Sequence, residues 1–190
     1  MYKLCKTEQS AARQRQLEGG LLEAMKQQRY EDISISDLCE QMQIPRKSFY
    51  RYFSSKDGAL HAMIDHILME FEGMSELTGK GTDRTIVEDM EGFFAFWILH
   101  KDLLDVLEKS NLSGILIERA IFHAVQEGVM PSNFFPEDSA EMRNYITTFG
   151  VCGLMSMVVT WYHQGFRKNA REMGMIAARI LGKPMYPNAY

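Results

Sequence analysis

Residues 33–57 read Ile33-Ser34-Ile35-Ser36-Asp37-Leu38-Cys39-Glu40-Gln41-Met42-Gln43-Ile44-Pro45-Arg46-Lys47-Ser48-Phe49-Tyr50-Arg51-Tyr52-Phe53-Ser54-Ser55-Lys56-Asp57. Ser34 to Asp37 has the S-x-x-D form of a capping box and predicts a short helix to about Met42. Pro45 suits the first turn of a second helix, because proline lacks only an N–H that would be unpaired there. That helix is expected from Arg46 to about Phe53. Ser54-Ser55-Lys56-Asp57 repeats the capping pattern and opens a long helix to about Leu77. Short helix, tight turn, short helix is the layout of a helix-turn-helix. Phe49 and Phe53 stand at i, i+4 and point inward, which leaves Arg46, Lys47, Tyr50 and Arg51 on the outer faces. A helix that enters a major groove about 12 Å wide needs such an apolar anchor side, with long polar side chains near its N-terminus.

Two helices this short cannot stand alone, so their neighbours must support them. Leu17, Leu21, Leu22 and Met25 mark a preceding helix over about 9–28. Gly19 and Gly20 lie in its middle, each costing up to ~1 kcal/mol relative to alanine, and a close contact is the one rationale for them. Leu60, Met63, Ile64, Ile67, Leu68 and Phe71 stripe the helix that follows the motif. Beyond a polar loop at 78–83, helical periodicity predicts helices at about 84–99, 101–109 and 112–127. A second loop runs from Gly128 to Pro136, followed by a helix over 138–164. Asn169 with Glu172 caps a last helix to Leu181, striped by Met173, Ile176, Ala177, Ile180 and Leu181. Gly182 and Pro184 end it. No segment has the period of a strand.

Charge is uneven along the 190 residues. Residues 1–60 hold 10 Lys+Arg against 8 Asp+Glu, whereas residues 61–190 hold 11 against 17. The stretch 44–56 carries Arg46, Lys47, Arg51 and Lys56 with no acid. A small basic head on an acidic body points to a polyanion met by the head alone. The composition, 46% hydrophobic and 24% charged, is that of a globular chain. Three distant cysteines, Cys5, Cys39 and Cys152, exclude a disulfide framework and a closely spaced zinc site, and fit a reduced intracellular chain. The first six residues are too polar for a secretory signal.

The stretch from Ile33 to Leu38 and then Ile44 to Asp57, above all its F-Y-x-Y-F-x-S-K string, resembles the DNA-binding head of the TetR (tetracycline-repressor-like) family of transcriptional regulators. The match covers about residues 10–70. Beyond residue 80 the resemblance is to layout only, a helical body ending in two long helices. Three positions depart from the family pattern. Arg29 and Gln43 stand where glycine is usual, and Pro45 stands where a Ser or Thr cap is frequent.

Similarity implies that Tyr50 and Lys56 contact phosphate, Lys56 at the positive N-terminal end of its helix. Ser34 and Ser36 are candidates for phosphate where their helix begins. Arg46 and Lys47 are the candidates for base edges, and an Arg–guanine pair is worth ~1–3 kcal/mol of discrimination. Ser48 and Arg51 complete the DNA-binding set, and Tyr52 either packs or reaches the backbone. The family implies an effector pocket in the body. Trp97, Phe122, Phe149 and Met155 are its expected lining, and the 14 Met residues with these aromatics suit a small hydrophobic effector.

Other readings are weaker. His61, Asp65 and His66 share a helix, but an exposed face with i, i+4 charge pairing accounts for them better than a metal pair. No Gly-rich phosphate loop, G-x-S-x-G or C-x-x-C is present. The 23 residues from Asn144 to Phe166 contain no charge and are long enough to span a bilayer. Their Asn, Thr, Ser, His and Gln favour instead a helix buried on most sides, by its own domain and a partner subunit. The expectation is thus an all-α, cytoplasmic regulator without cofactor or metal. A three-helix head (1–56) precedes an effector-binding and dimerisation body (57–190). As a homodimer repressor it binds near-palindromic double-stranded DNA, pairing its last two helices across subunits into a four-helix bundle. Gly150, Gly153 and Ser156 let those helices approach. The alternative is an interaction protein whose body binds a partner protein.

Overall fold

The computed structural model describes residues 2, 5, 7–79, 84–127 and 139–182, with residues 75–79 and 127 by backbone alone. Of the polar loop expected at 78–83, Thr78 and Gly79 instead continue a helix, while residues 80–83, the expected loop at 128–136 and Pro184 lie outside the described residues. Among those described the chain is all-α. Helix α1 is Glu8–Gln27, α2 Ile35–Gln41, α3 Arg46–Tyr50, α4 Lys56–Gly79, α5 Ile86–Leu99, α6 Lys101–Lys109, α7 Ser113–Glu127, α8 Ala140–His163 and α9 Ala170–Leu181. A 3-10 turn at Tyr30–Asp32, which periodicity does not signal, joins α1 to α2.

Local chemistry explains most helix starts. Ser34 accepts a hydrogen bond from Asp37 N at 3.1 Å. Asn169 and Glu172 form both bonds of the expected capping box. Thr85 and Glu88 form another at the start of α5, and its backbone and hydroxyl donors hold the Glu88 carboxyl below the usual range.

Two compact units divide the chain. The first comprises residues 1–69 and 102–119, the second residues 70–101 and 120–190. In the first unit Leu17, Leu21 and Met25 of α1 and Leu38, Phe49, Phe53, Leu60 and Ile64 form one buried core. Gly20 lies against the Met42 side chain, whose Sδ would be 2.2 Å from an added Cβ and would have to move aside. Nothing in the structure explains Gly19.

The polar interior of this unit overturns the exposed-face reading of Asp65. Its side chain is buried, accepts from Arg119 Nε at 2.7 Å and Nη2 at 2.6 Å, and accepts from the Tyr2 hydroxyl at 2.8 Å. Burial, and then this bond, push the Tyr2 phenol well above its ordinary value. His66 pairs with buried Glu18 at 2.8 Å. Among the described residues, no group of three His, Cys, Asp or Glu could hold a metal ion.

In the second unit α5 and α9 pack backbone to backbone at Gly174. A Cβ there would meet Glu91 N at 2.8 Å and Val87 O at 3.0 Å. This approach turns Met173, Gly174, Ala177 and Ala178 inward and splits the expected α9 stripe, leaving Ile176, Ile180 and Leu181 exposed. Phe93, Phe94, Phe96, Trp97 and Trp161 fill the core edge to face, with Phe94 and Trp161 5.4 Å apart.

The α8 helix departs from expectation. It is long and apolar enough to cross a membrane, and only 22% of its apolar stretch is buried within the chain. Met142, Tyr145 and Phe149 are exposed, followed by exposed Gly153, Ser156 and Thr160 on the same stripe.

Candidate nucleic-acid interface

The turn between α2 and α3 sets the attitude of α3. Gln43 N donates to Glu40 O and Ile44 N to Cys39 O, both at 2.9 Å, the bond pattern of a Schellman motif. Its geometry requires a left-handed residue, and Gln43 supplies it at φ 53. Arg29, the other departure from glycine, keeps a negative φ of −69 and carries no such strain. Pro45 is the N-cap of α3, with no side-chain capping bond. Regular α3 is shorter than expected, but its hydrogen bonding continues through Phe53 N to Phe49 O at 3.1 Å.

Phe49 and Phe53 are fully buried with rings 5.2 Å apart. Each contributes about 1.5–3 kcal/mol of burial. With that side anchored, Arg46, Lys47 and Arg51 are exposed, Tyr50 is 50% exposed, and Ser48 is half-buried. Ser34 is exposed and Ser36 half-buried at the start of α2. The structure thus displays on one short helix the residues whose long polar chains suit base edges and phosphates.

Two members of the expected DNA-binding set have other partners. Tyr52 is buried against Phe53 and does not project. The Lys56 ammonium donates to Tyr30 O at 2.5 Å and Ile33 O at 2.7 Å, and lies 4.2 Å from the Tyr30 ring centre. It closes the link between α1 and α2 onto the start of α4 instead of presenting a free cation. The Tyr30 hydroxyl donates to Asp57 at 2.5 Å, and burial together with that bond pushes its phenol far up. Sequence spacing could not reveal this clasp, because backbone carbonyls carry no residue-type signal.

The four residues of the expected effector lining differ sharply in burial. Trp97 and Met155 are buried in the core, 1% and 2% exposed, whereas Phe122 and Phe149 are 52% and 74% exposed. Aromatic or methionine character selected these four residues, and it does not tell a core side chain from a surface one. Trp97 nonetheless holds an uncommon feature: its indole Nε1 is buried with no hydrogen-bond partner among the described residues. Nearby, burial lowers the His100 pKa, partly opposed by Glu70 3.9 Å away.

A solved structure, that of the fatty acid degradation regulator FadR from Bacillus halodurans, is similar over 96% of this chain and 98% of that one. The TM-score is 0.52 and the identity 14%. The all-α architecture is shared with that regulator. No family model matches the chain, and no curated protein matches it.

Proposed function

We propose that this protein is a ligand-responsive, DNA-binding transcriptional regulator that acts as a homodimeric repressor in the cytoplasm. The observation that carries the reading is α3, with two buried phenylalanines on one side and Arg46, Lys47, Tyr50 and Arg51 outward on the other. Arg46 and Lys47 read base edges. Ser34, Ser36, Ser48, Tyr50 and Arg51 contact sugar and phosphate, while Tyr52 and Lys56 brace the surface from behind.

The apolar outer stripe of α8, with the exposed edge of α9, supports pairing with a second copy. An unpaired face of Met142, Tyr145 and Phe149 in water is unfavourable by roughly 25 cal/mol per Å². Exposed Gly153, with open space around it, allows two such helices close contact. Two heads then address two half-sites separated by one helical turn, ~34–36 Å, or a multiple of it. The aromatic interior of the second unit supports a small hydrophobic effector. The unpaired Trp97 N–H would reward a ligand that brings one acceptor. A fatty acid degradation regulator with the same fold is consistent with that chemistry. Exposed Phe122 favours a second reading, a protein partner on the body.

Selection of bound sites from random duplex DNA tests the main reading, with an inverted repeat as the expected product. Lys47→Ala with Tyr50→Ala should weaken binding to that site by about 1–3 kcal/mol for each lost contact, at unchanged melting temperature. Enrichment of no site by the wild type would refute the DNA assignment.

A further inference from the structure

A groove of about 500 Å³ lies in the first unit, lined by Gln9, Ser10, Ala12, Arg13 and Gln16 of α1 and by Arg51 and Tyr52 just past α3. Its lining contains two guanidinium groups from separate elements, two hydroxyls, two carboxamides and no carboxylate. Gln16 accepts from Arg13 Nη1 at 2.5 Å and so aims the guanidinium while occupying one of its five donors. The Arg51 guanidinium carbon lies 6.0 Å from the Tyr52 ring centre, and stacking of this kind restrains a cation without neutralising it. Thr7, the α1 N-cap, accepts from Ser10 N, and the positive end of the helix dipole adds to the two cations. Glu8, exposed in the first turn of α1, is the adjacent opposing charge and is not part of the lining.

We infer that this groove is a phosphate clamp for the DNA backbone, extending the interface from α3 onto α1 through Arg13. The inference rests on the DNA reading. The anionic group could come from a phosphodiester of the duplex or from free phosphate. Position favours the duplex, because Arg51 follows directly on the helix that presents Arg46 and Lys47. Arg46 and Arg51 are separated by about 7.5 Å of helical rise, close to two nucleotide steps along a strand. A contact of this type fixes orientation and register on the duplex and carries no base preference.

The experiment is a salt series of fluorescence-anisotropy titrations with the full chain, using the selected operator and a scrambled duplex of equal length. Arg13→Gln should lose roughly tenfold in affinity on both duplexes alike. Its log–log salt slope should fall by about 1, and Arg13→Lys should restore the slope. Arg13 is half-buried on the surface of α1, and an unchanged melting temperature confirms that the variant folds. Wild-type affinity and slope for Arg13→Gln overturn the clamp and leave the DNA reading standing. A loss confined to the operator also overturns it, by making Arg13 a base reader. Thermal stabilisation of the wild type by inorganic phosphate that Arg13→Gln abolishes, with duplex binding unchanged, assigns the groove to free phosphate and overturns the inference. A wild type that binds neither duplex overturns both readings.

Discussion

Two outward faces of this molecule, on α3 and on α8, differ in every chemical respect. The α3 face carries Arg46, Lys47, Tyr50 and Arg51 around a backbone anchored by two buried phenylalanines. The α8 face carries Met142, Tyr145 and Phe149 and then only small or neutral residues. Both are exposed in the single chain. Solvated cations on a short anchored helix are at ease in water and gain further from a polyanion. A helix that carries no charge from Asn144 onward, with only 22% of its apolar stretch buried within the chain, is not at ease in water, and its chemistry asks for another apolar surface. Exposure therefore locates a surface, and its chemistry indicates what belongs there.

The largest expected effect comes from breaking the α8 face. Tyr145→Glu with Phe149→Glu should turn a dimer into a monomer, read by size-exclusion chromatography with light scattering, at unchanged helix content. Affinity for the intact inverted repeat should drop on the order of 100-fold, because two heads no longer act together, while affinity for a single half-site stays the same. A double variant that remains dimeric would show that the subunits pair elsewhere.

Gly174→Ala acts inside the second unit without touching either face. The new methyl group meets the α5 backbone, which cannot give way as a flexible side chain can. Stability should fall by about 2 kcal/mol and the melting temperature by about 4–8 °C, measured by circular dichroism. If the α5–α9 contact also shapes the subunit interface, dimerisation weakens with it and half-site affinity does not.

The smallest effect sharpens the α3 side. Gln43→Gly removes a side chain from a left-handed position and should raise stability by about 1 kcal/mol, with operator affinity unchanged. A fall in stability would mean that the Gln43 side chain contributes more than its backbone strain costs.

Much of the fold was legible in the sequence for local reasons. Caps at Ser34 and at Asn169–Glu172 act within three residues, and the Phe49–Phe53 spacing selects the inner side of α3 within one turn. The outward set of Arg46, Lys47, Tyr50 and Arg51 follows from the same turn of helix. The rest of the candidate site was not legible. Lys56 looks like a free cation in the sequence, and only the folded chain brings the Tyr30 and Ile33 carbonyls to it. Arg13 gives no signal beside its neighbour Arg15. What distinguishes it is the arrival of Arg51 at the same groove.

The sequence by itself determined where the capped helices α2 and α9 begin and which side of α3 is anchored, because capping and side-chain periodicity are interactions between near neighbours. Tertiary structure alone decided that Asp65 is buried, since its partners Tyr2 and Arg119 are 63 and 54 residues away. It also decided which side of α8 meets water. From Asn144 onward that helix has no charge and so no periodic marker of its solvent side, and only packing against the rest of its own unit assigns one.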